Sequence, residues 1–600
     1  MLILLIGIVV TLVTGVPVLM QMLRNHPRGL LILFFAEMWE RFSYYGMRGI
    51  LIFYLTQHLL FDDSTAGAQY GSYTSLVYLL PLLGGLLADR YLGTRKAVAF
   101  GALLLVAGHL TMAVEGTPAK QTLTYAGQTY EVAIEGRMEA RQVHLMVAGK
   151  PHEFAATADG GIEVKGMAPG GPLPAVMPKG TYELKNQVDL FGKNAFYLAV
   201  ALIIMGVGFL KPNISTIVGQ LYPQGDPRRD SGFTLYYYGI NLGAFWASVL
   251  CGLLGQTVGW WAGFGLAGVG MAAGFLVFVL GKKHLEGHGE PPNPELLRQK
   301  IAGPISREWL IYLGGVLGVI PVWFLVQSNQ FVGYALYTAI IAALGFIFYF
   351  LVTQCTKVER ERMMLAMVLV FGSVVFFTLF EQAGTSLNLF AARNVDLMGI
   401  TAAQTQSFNA GFILIFAPIF AAMWAYLGAR RRMPNPTLTF GLGLLQVGLG
   451  FLVVVWTQGL AVQYQMPLFM LGLLYLLHTT GELFLSPVGL SQITKLSVAK
   501  VVSFMMAVWF LASSIAQFVG GRIAGLMGTE TVGGQVLDPA VAFATSMDGF
   551  NKLGWAGVAC GAIFVALSFA IKGWAHGVDT PTEPEEVPAA ADVERQAGRA

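Results

Sequence analysis

Residues 29–60 read GLLILFFAEMWERFSYYGMRGILIFYLTQHLL. The run is apolar enough to cross a bilayer, which takes about 20 mostly apolar residues. Yet Glu37, Glu40, Arg41 and Arg48 stand inside it. A charge at mid-bilayer costs about 2.5–3.5 kcal/mol on insertion scales, so it needs an interior position and a partner. At about 100° per residue, Glu37, Glu40, Arg41, Tyr44, Tyr45 and Arg48 fall within one arc of roughly 140°, opposite Leu33, Met38 and Phe42. The run therefore reads as a transmembrane helix that turns one polar stripe toward other helices.

The rest of the chain agrees. Its 600 residues are 55% hydrophobic and 12% charged, with mean hydropathy +0.61. Soluble domains carry about twice that charged share, so this is an integral membrane protein. The net charge of +3 is spread along the chain without a basic block, and no nucleic-acid partner is expected. Cys251, Cys355 and Cys560 are odd in number and lack metal-ligand spacing, which excludes a disulfide framework or zinc site as a reading.

Spans are read at 1–22, 29–57, 69–88, 97–114, 194–221, 232–256, 259–281, 308–326, 331–353, 363–390, 404–427, 437–457, 466–490, 501–527 and 550–572, fifteen in all. Alternate loops hold the cations: Arg24/Arg28, Arg90/Arg95/Lys96, Arg228/Arg229, Lys282/Lys283, Lys357/Arg360/Arg362, Arg430/Arg431/Arg432 and Lys495/Lys500. Such loops face the cytoplasm. The expected place is the cell (inner) membrane, with the C-terminus cytoplasmic and residue 1 outside. Residues 1–22 lack a basic n-region and a clear cleavage site, so they read as an extra N-terminal transmembrane helix rather than a signal peptide.

YLGTRK (91–96) and YLGARR (426–431) each begin a basic loop, and FLKP (209–212) and FLSP (484–487) recur further on. This is a weak parallel repeat of the kind left by two six-helix halves. The intervals differ, 121 residues from Tyr91 to Pro212 against 61 from Tyr426 to Pro487. The excess lies at 115–190, where the chain turns polar. TYEVAIEG (129–136), GIEVKG (161–166) and TYELK (181–185) alternate there, broken by DGG (159–161) and PGGP (169–172). A small β-rich extracytoplasmic insertion is predicted, with His144 and His152 as surface residues. The divisions are then 23–281 for the first bundle around that insertion, 282–307 for a cytoplasmic linker, and 308–353 for two linker helices. The second bundle is 354–572, and 573–600 is a disordered Pro-, Ala- and Glu-rich tail.

Other charges in the spans are few: Lys211, Glu381 and Glu482, with Asn241 and Asn409 beside them in kind. Three cations (Arg41, Arg48, Lys211) thus face four carboxylates (Glu37, Glu40, Glu381, Glu482) drawn from both halves. A structural ion-pair network is one reading, although an apolar core would be cheaper. A polar cavity for a charged solute is the other. A carboxylate surplus suits protons, because burial favours the protonated acid and a neighbouring cation favours the carboxylate. Gly206, Gly208, Pro212, Pro418 and Pro487 suit either bending helices or close packing.

Taken in order, these motifs resemble the proton-coupled oligopeptide transporters of the major facilitator superfamily. The resemblance covers nearly all of 27–572. Its carriers are Glu37-Met38-Trp39-Glu40-Arg41 with FSYYGMR, then GGLLADRYLGTRK (84–96), then FYLAVALIIMGVGFLKPNISTIVGQLY through RRDSGFTLYYYGINLGAF (196–245). EQAGTSL (381–387), NAGFILIFAP (409–418) and GELFLSPVGL (481–490) follow. The resemblance implies an all-α polytopic membrane protein of major facilitator fold, with 6+6 helices, two linker helices and alternating access around a midplane site. It implies import of di- and tripeptides with protons as the coupling ion, no other cofactor and no metal, by a monomer. It also implies roles. Glu37, Glu40, Arg41 and Glu381 would couple protons; Arg41, Tyr45 and Lys211 would hold the peptide carboxylate; Asn241, Asn409 and Glu482 would hold the amine. Tyr44, Arg48, Tyr78, Trp509 and Ser513 would line side-chain pockets. A zwitterion with variable side chains independently asks for cations at one end, a carboxylate at the other and aromatic walls between.

Three features depart from the family pattern: Gly71 follows Tyr70 where some members have a histidine, the first 22 residues add a helix, and the outer insertion replaces a short loop. Rival readings are a transporter of another small solute (nitrate, amino acid, sugar or peptide-like drug) and a non-transporting peptide sensor. A membrane enzyme finds no Ser/His/Asp, Cys/His or metal pattern, so the chain is read as no enzyme.

Overall fold

The computed structural model describes residues 2–577 apart from 168–169, 224–225 and 431. Fourteen helical segments among them are long and apolar enough to cross a membrane. Helix α2 falls outside that set because of its charges, and it makes the fifteenth. Helix α1 (Leu2–Asn25) precedes a first bundle of α2 (Arg28–Phe53), α3 with α4 (Asp63–Leu79, Pro81–Leu87), α5 (Thr94–Met112), α6 (Leu190–Gln220), α7 (Arg228–Thr257) and α8 (Trp260–Leu280). A short α9 (Pro294–Arg298) sits in the polar linker. Then α10 with α11 (Arg307–Leu317, Val319–Val326) and α12 (Asn329–Thr353) form a two-span hairpin. The second bundle holds α13 (Lys357–Phe380) with α14 (Ser386–Asn394), α15 (Ser407–Ala429), α16 (Pro436–Trp456), α17 (Leu468–Leu496), α18 (Val502–Leu526) and α19 (Pro539–Ala570). This is the six-plus-six architecture that the resemblance implies.

Local chemistry sets the ends. Asp62, Asp189, Asn435 and Asp538 cap α3, α6, α16 and α19 by accepting from backbone N–H groups. Thr356 and Glu359 form a capping box at α13. Each capped end satisfies amides that the helix leaves unpaired. Pro81 breaks one span into α3 and α4, and Pro212 and Pro418 lie inside α6 and α15. Without a hydrophobic drive between helices in lipid, close approach of backbones holds such bundles. A Cβ on Gly84 would strike the carbonyl of Gly208, and one on Gly243 the carbonyl of Met38. Apolar side chains such as Phe324, Phe331, Ile341 and Phe348 stay exposed on the linker hairpin and face the bilayer.

The extra helix α1 packs on α7 and reaches α15. Thr11 accepts from Trp246 Nε1 at 2.9 Å, Thr14 and Tyr238 hydroxyls lie 2.8 Å apart, and Ile3, Leu4 and Val10 join a cluster around Phe245 and Leu414.

The insertion is β-rich as expected. Strands β1 (Lys120–Tyr125), β2 (Gln128–Glu135), β3 (Gln142–Val147), β4 (Lys150–His152), β5 (Phe154–Ala156), β6 (Ile162–Val164), β7 (Val176–Met177) and β8 (Tyr182–Gln187) form two sheets. One has the order β4-β3-β2-β1-β8 and the other β5-β6-β7. Alternate residues Leu123, Val132, Val143, Leu145 and Val147 point into a shared core. We call the side bearing this domain the insertion face, and the side bearing the basic loops at 90–96 and 282–283 the basic face.

One boundary needs correction. Residues 573–577, expected to open the disordered tail, are ordered: Lys572–Ala575 form a 3-10 turn and His576 Nε2 lies 2.6 Å from Glu361 Oε2. The remainder of that expected tail, 578–600, lies outside the described residues.

Candidate functional site

Helix α2 delivers its polar stripe to the bundle interior. Glu37 and Glu40 are each 1% exposed. Arg41 Nε donates to Glu37 Oε1 at 2.8 Å and lies 3.2 Å from Glu40 Oε2. One guanidinium thus serves two carboxylates, and Glu37 Oε2 and Glu40 Oε2 are buried without a hydrogen-bond partner. Lys211, one residue before Pro212 on α6, places its ammonium 3.7 Å from the centre of the Tyr78 ring. About two helical turns beyond Arg41 on α2, Arg48 pairs with Glu381 of the second bundle and donates to Tyr70 OH at 2.6 Å.

A cavity of about 170 Å³ lies between the bundles. Its walls include Tyr45, Arg48, Tyr78 and Asn241 from the first half, and Glu381, Asn409 and Glu482 from the second. Asn409 Nδ2 donates to Glu482 Oε2 at 3.3 Å and to Thr479 Oγ1 at 3.0 Å. Asn241 is tied back to its own helix through Tyr237 O at 3.0 Å. Phenylalanines 377 and 380 complete an apolar side. Such a site, with few polar groups on an apolar and aromatic wall, is built to orient a small polar solute.

Seven of the expected residues therefore meet at one cavity. Glu37, Glu40 and Arg41 form a buried ionic cluster rather than its wall, and Lys211 stands over the ring of the wall residue Tyr78. Three expected pocket residues stand elsewhere. Tyr44 is 2% exposed and stacks edge-on against Tyr45 inside the bundle. Trp509 lies against Gly489 at the contact of α17 with α18, and Ser513 bonds back to Trp509 O at 3.2 Å. These three do not line this cavity: Tyr44 is turned into the packing of α2, and Trp509 is held against α17.

Sequence reasoning missed Tyr237, Gln406, Tyr475 and His478, which also line it. It also missed a further buried charge pair. Arg393 on α14 donates to Asp63 on α3 at 2.6 and 2.7 Å, and Thr529 N adds a third bond at 3.0 Å. Asp63 was hidden by its neighbour: Asp62 caps the helix, and the pair looks like an ordinary polar loop end.

The two halves meet near the insertion face. Asn388 and Gln406 both donate to Gly49 O, Gln404 donates to Val249 O, and Ser75 and Ser514 hydroxyls lie 2.7 Å apart. Gly67 and Gly71 of α3 touch the backbone of α18 at Gly521. Among the described residues, the ion pairs joining the two halves are Arg48–Glu381 at the cavity wall, Asp63–Arg393, and Lys179–Glu530 through the insertion, and none joins them toward the basic face. The molecule is closed toward the insertion face.

A sequence profile described as the POT family matches residues 95–537. The chain is 33% identical to "Uncharacterized transporter YclF" of Bacillus subtilis over 519 residues, covering 84% of this chain and 88% of that one. It is 30% identical to the "Di-/tripeptide transporter" of Lactococcus lactis subsp. lactis over 539 residues, covering 84% and 91%. Among solved structures, peptide transporter POT in complex with sulfate superposes with a TM-score of 0.67 at 32% identity, covering 92% of this chain and 96% of that one. A POT family transporter in complex with 5-aminolevulinic acid gives 0.66 at 27% identity, covering 91% and 97%.

Proposed function

The chain belongs to the POT family, and from that premise we propose that it is a proton-coupled symporter importing di- and tripeptides by alternating access. The basic face is cytoplasmic in this reading, by the distribution of Lys and Arg. The observation that carries it is the pairing of one interior cavity with one underpaired ionic cluster. Around the cavity stand Arg48 of the first bundle, paired with Glu381 of the second, and Glu482 of the second bundle with Asn409. A peptide amine held at Glu482 and a carboxylate directed toward the cations of α2 and α6 would draw the halves together. Two carboxylates sharing Arg41 supply the proton site, since one guanidinium cannot fully compensate both when water is excluded. Protonating one carboxyl loosens Arg41 from the pair and frees it to meet the substrate.

Peptide specificity draws support from the relatives named as di- and tripeptide transporters. Purified protein in proteoliposomes should take up a labelled dipeptide faster and further when the bath is more acidic than the lumen. Excess di- and tripeptides should compete, and free amino acids should not. Competition by amino acids or nitrate alone would place the substrate in another class.

A further inference from the structure

We propose that the inserted β domain is a releasable clamp. It is carried by the first bundle, grips the 531–536 hairpin of the second, and has to let that hairpin go before the transporter opens toward the insertion face. The proposal rests on the alternating-access reading above and adds a gate to it.

The first bundle holds the domain at many points. The Asp189 carboxylate accepts from Thr117 N at 3.1 Å, Phe191 N at 3.1 Å and Gly192 N at 3.2 Å, which ties the outgoing connection to the returning one. Glu115 Oε2 accepts from Trp261 N at 2.9 Å, and Ala119 N donates to His58 O at 2.8 Å. Arg137 donates to Gly255 O at 3.2 Å and stands over the Trp260 ring.

The grip on the second bundle is small and specific. Val532, 2% exposed, is buried in the core of the β domain although it belongs to the α18–α19 connection. Beside it, Gly533 N donates to Gln121 Oε1 at 2.7 Å, and Gly533 O accepts from Arg141 at 2.5 Å. Gly533 has φ of +58°, and a Cβ there would meet Val143 at 2.7 Å, so glycine lets this backbone reach the sheet.

Single groups span both halves. Arg141 Nη2 donates to Gly533 O in the second bundle and to Gln57 O, at 3.2 Å, in the first. A second chain runs from Gly533 through Gln121 to Asn186 at 2.8 Å and on to Leu60 O at 2.5 Å. Opening the halves on this face stretches both bridges. Outside the hairpin, the polar contact of domain with second bundle among the described residues is the exposed Lys179–Glu530 ion pair, at 2.6 Å. Crevices of about 500 and 340 Å³ lie between the domain and the second bundle beside the hairpin, so the seam is packed at the latch and loose around it. A small contact inside a loose seam is one that can part and re-form.

Two measurements test this in protein whose three cysteines have been replaced. Spin labels at Val258 and Val462, exposed on the insertion-face loops of the two bundles, report their separation. Arg141→Ala, and separately Val532→Ser, should raise the population with the longer distance by about tenfold, the effect of losing a charged hydrogen-bond group or a buried anchor. Distance distributions unchanged in both variants would overturn the clamp. Independently, Lys179→Cys/Glu530→Cys joined by a short, reducible thiol cross-linker should stop peptide uptake, and reductant should restore it. Full uptake with the cross-link in place overturns the clamp and leaves the transport reading intact. If the reduced protein takes up no peptide, the transport reading fails, and the distances still decide the clamp.

Discussion

Glu37 and Glu40 compete for one guanidinium, and that competition is what the coupling reading needs from them. Each keeps one buried oxygen without a hydrogen bond, that of Glu40 meeting Arg41 only as an ion pair at 3.2 Å, so removing a charge there relieves the cluster instead of leaving a new orphan. Glu37→Gln and Glu40→Gln proteins should fold, bind peptide and exchange it across the membrane. Their gradient-driven accumulation should fall to the concentration of the bath. Counterflow and net-uptake assays on the same vesicles separate the two, and accumulation like the unaltered protein in both variants would demote these residues to structure. These residues were legible because a charge in an apolar run stands out. Tyr237, Gln406, Tyr475 and His478 were not, because a neutral polar side chain in a membrane helix looks the same whether it faces a cavity or bonds its own backbone. Thr479 does the latter, bonding Tyr475 O at 2.7 Å. The Asp63–Arg393 pair escaped for a different reason: each residue stands at a helix end, where charges are ordinary.

Helices 3 and 18 show how an element constrains a residue. Their backbones cross so closely that a Cβ at Gly71 would lie 2.9 Å from Gly521 Cα and 3.0 Å from Gln517 O. The histidine that the family resemblance suggests near this position would have no room here, whatever its chemistry. Gly71→His should therefore destabilise the protein by about 1–3 kcal/mol, as overpacking of a tight interface does. The melting temperature in detergent should drop, and one equal to the parent would mean that the helices separate at no cost. Most elements were visible in the sequence, since long apolar runs and period-two alternation are the two strongest patterns. The breaks between α3 and α4 and between α10 and α11 were not. Pro81 and Gly318 lie in runs that stay apolar throughout. The 531–536 hairpin was also invisible. It is two short strands whose meaning comes from the domain it enters, more than 300 residues earlier in the chain.

At the scale of the whole molecule, two bundles close on the insertion face through Arg48–Glu381, Asp63–Arg393, the α3–α18 crossing and the β domain. The cavity lies beneath that closure, and the ionic cluster of α2 and Lys211 stands beside it. The repeat of YLG and FLxP motifs announced two halves, but which charges would meet across them depended on helix rotations that no local pattern fixes. The central claim is that peptide and proton cross together. Its most direct measurement is made in vesicles with a trapped pH-sensitive dye, at equal pH on both sides, with a potassium diffusion potential negative inside. Adding dipeptide to the bath should acidify the lumen, with a rate that follows dipeptide concentration and vanishes in Glu40→Gln. Peptide entering while lumen pH stays constant would contradict the account.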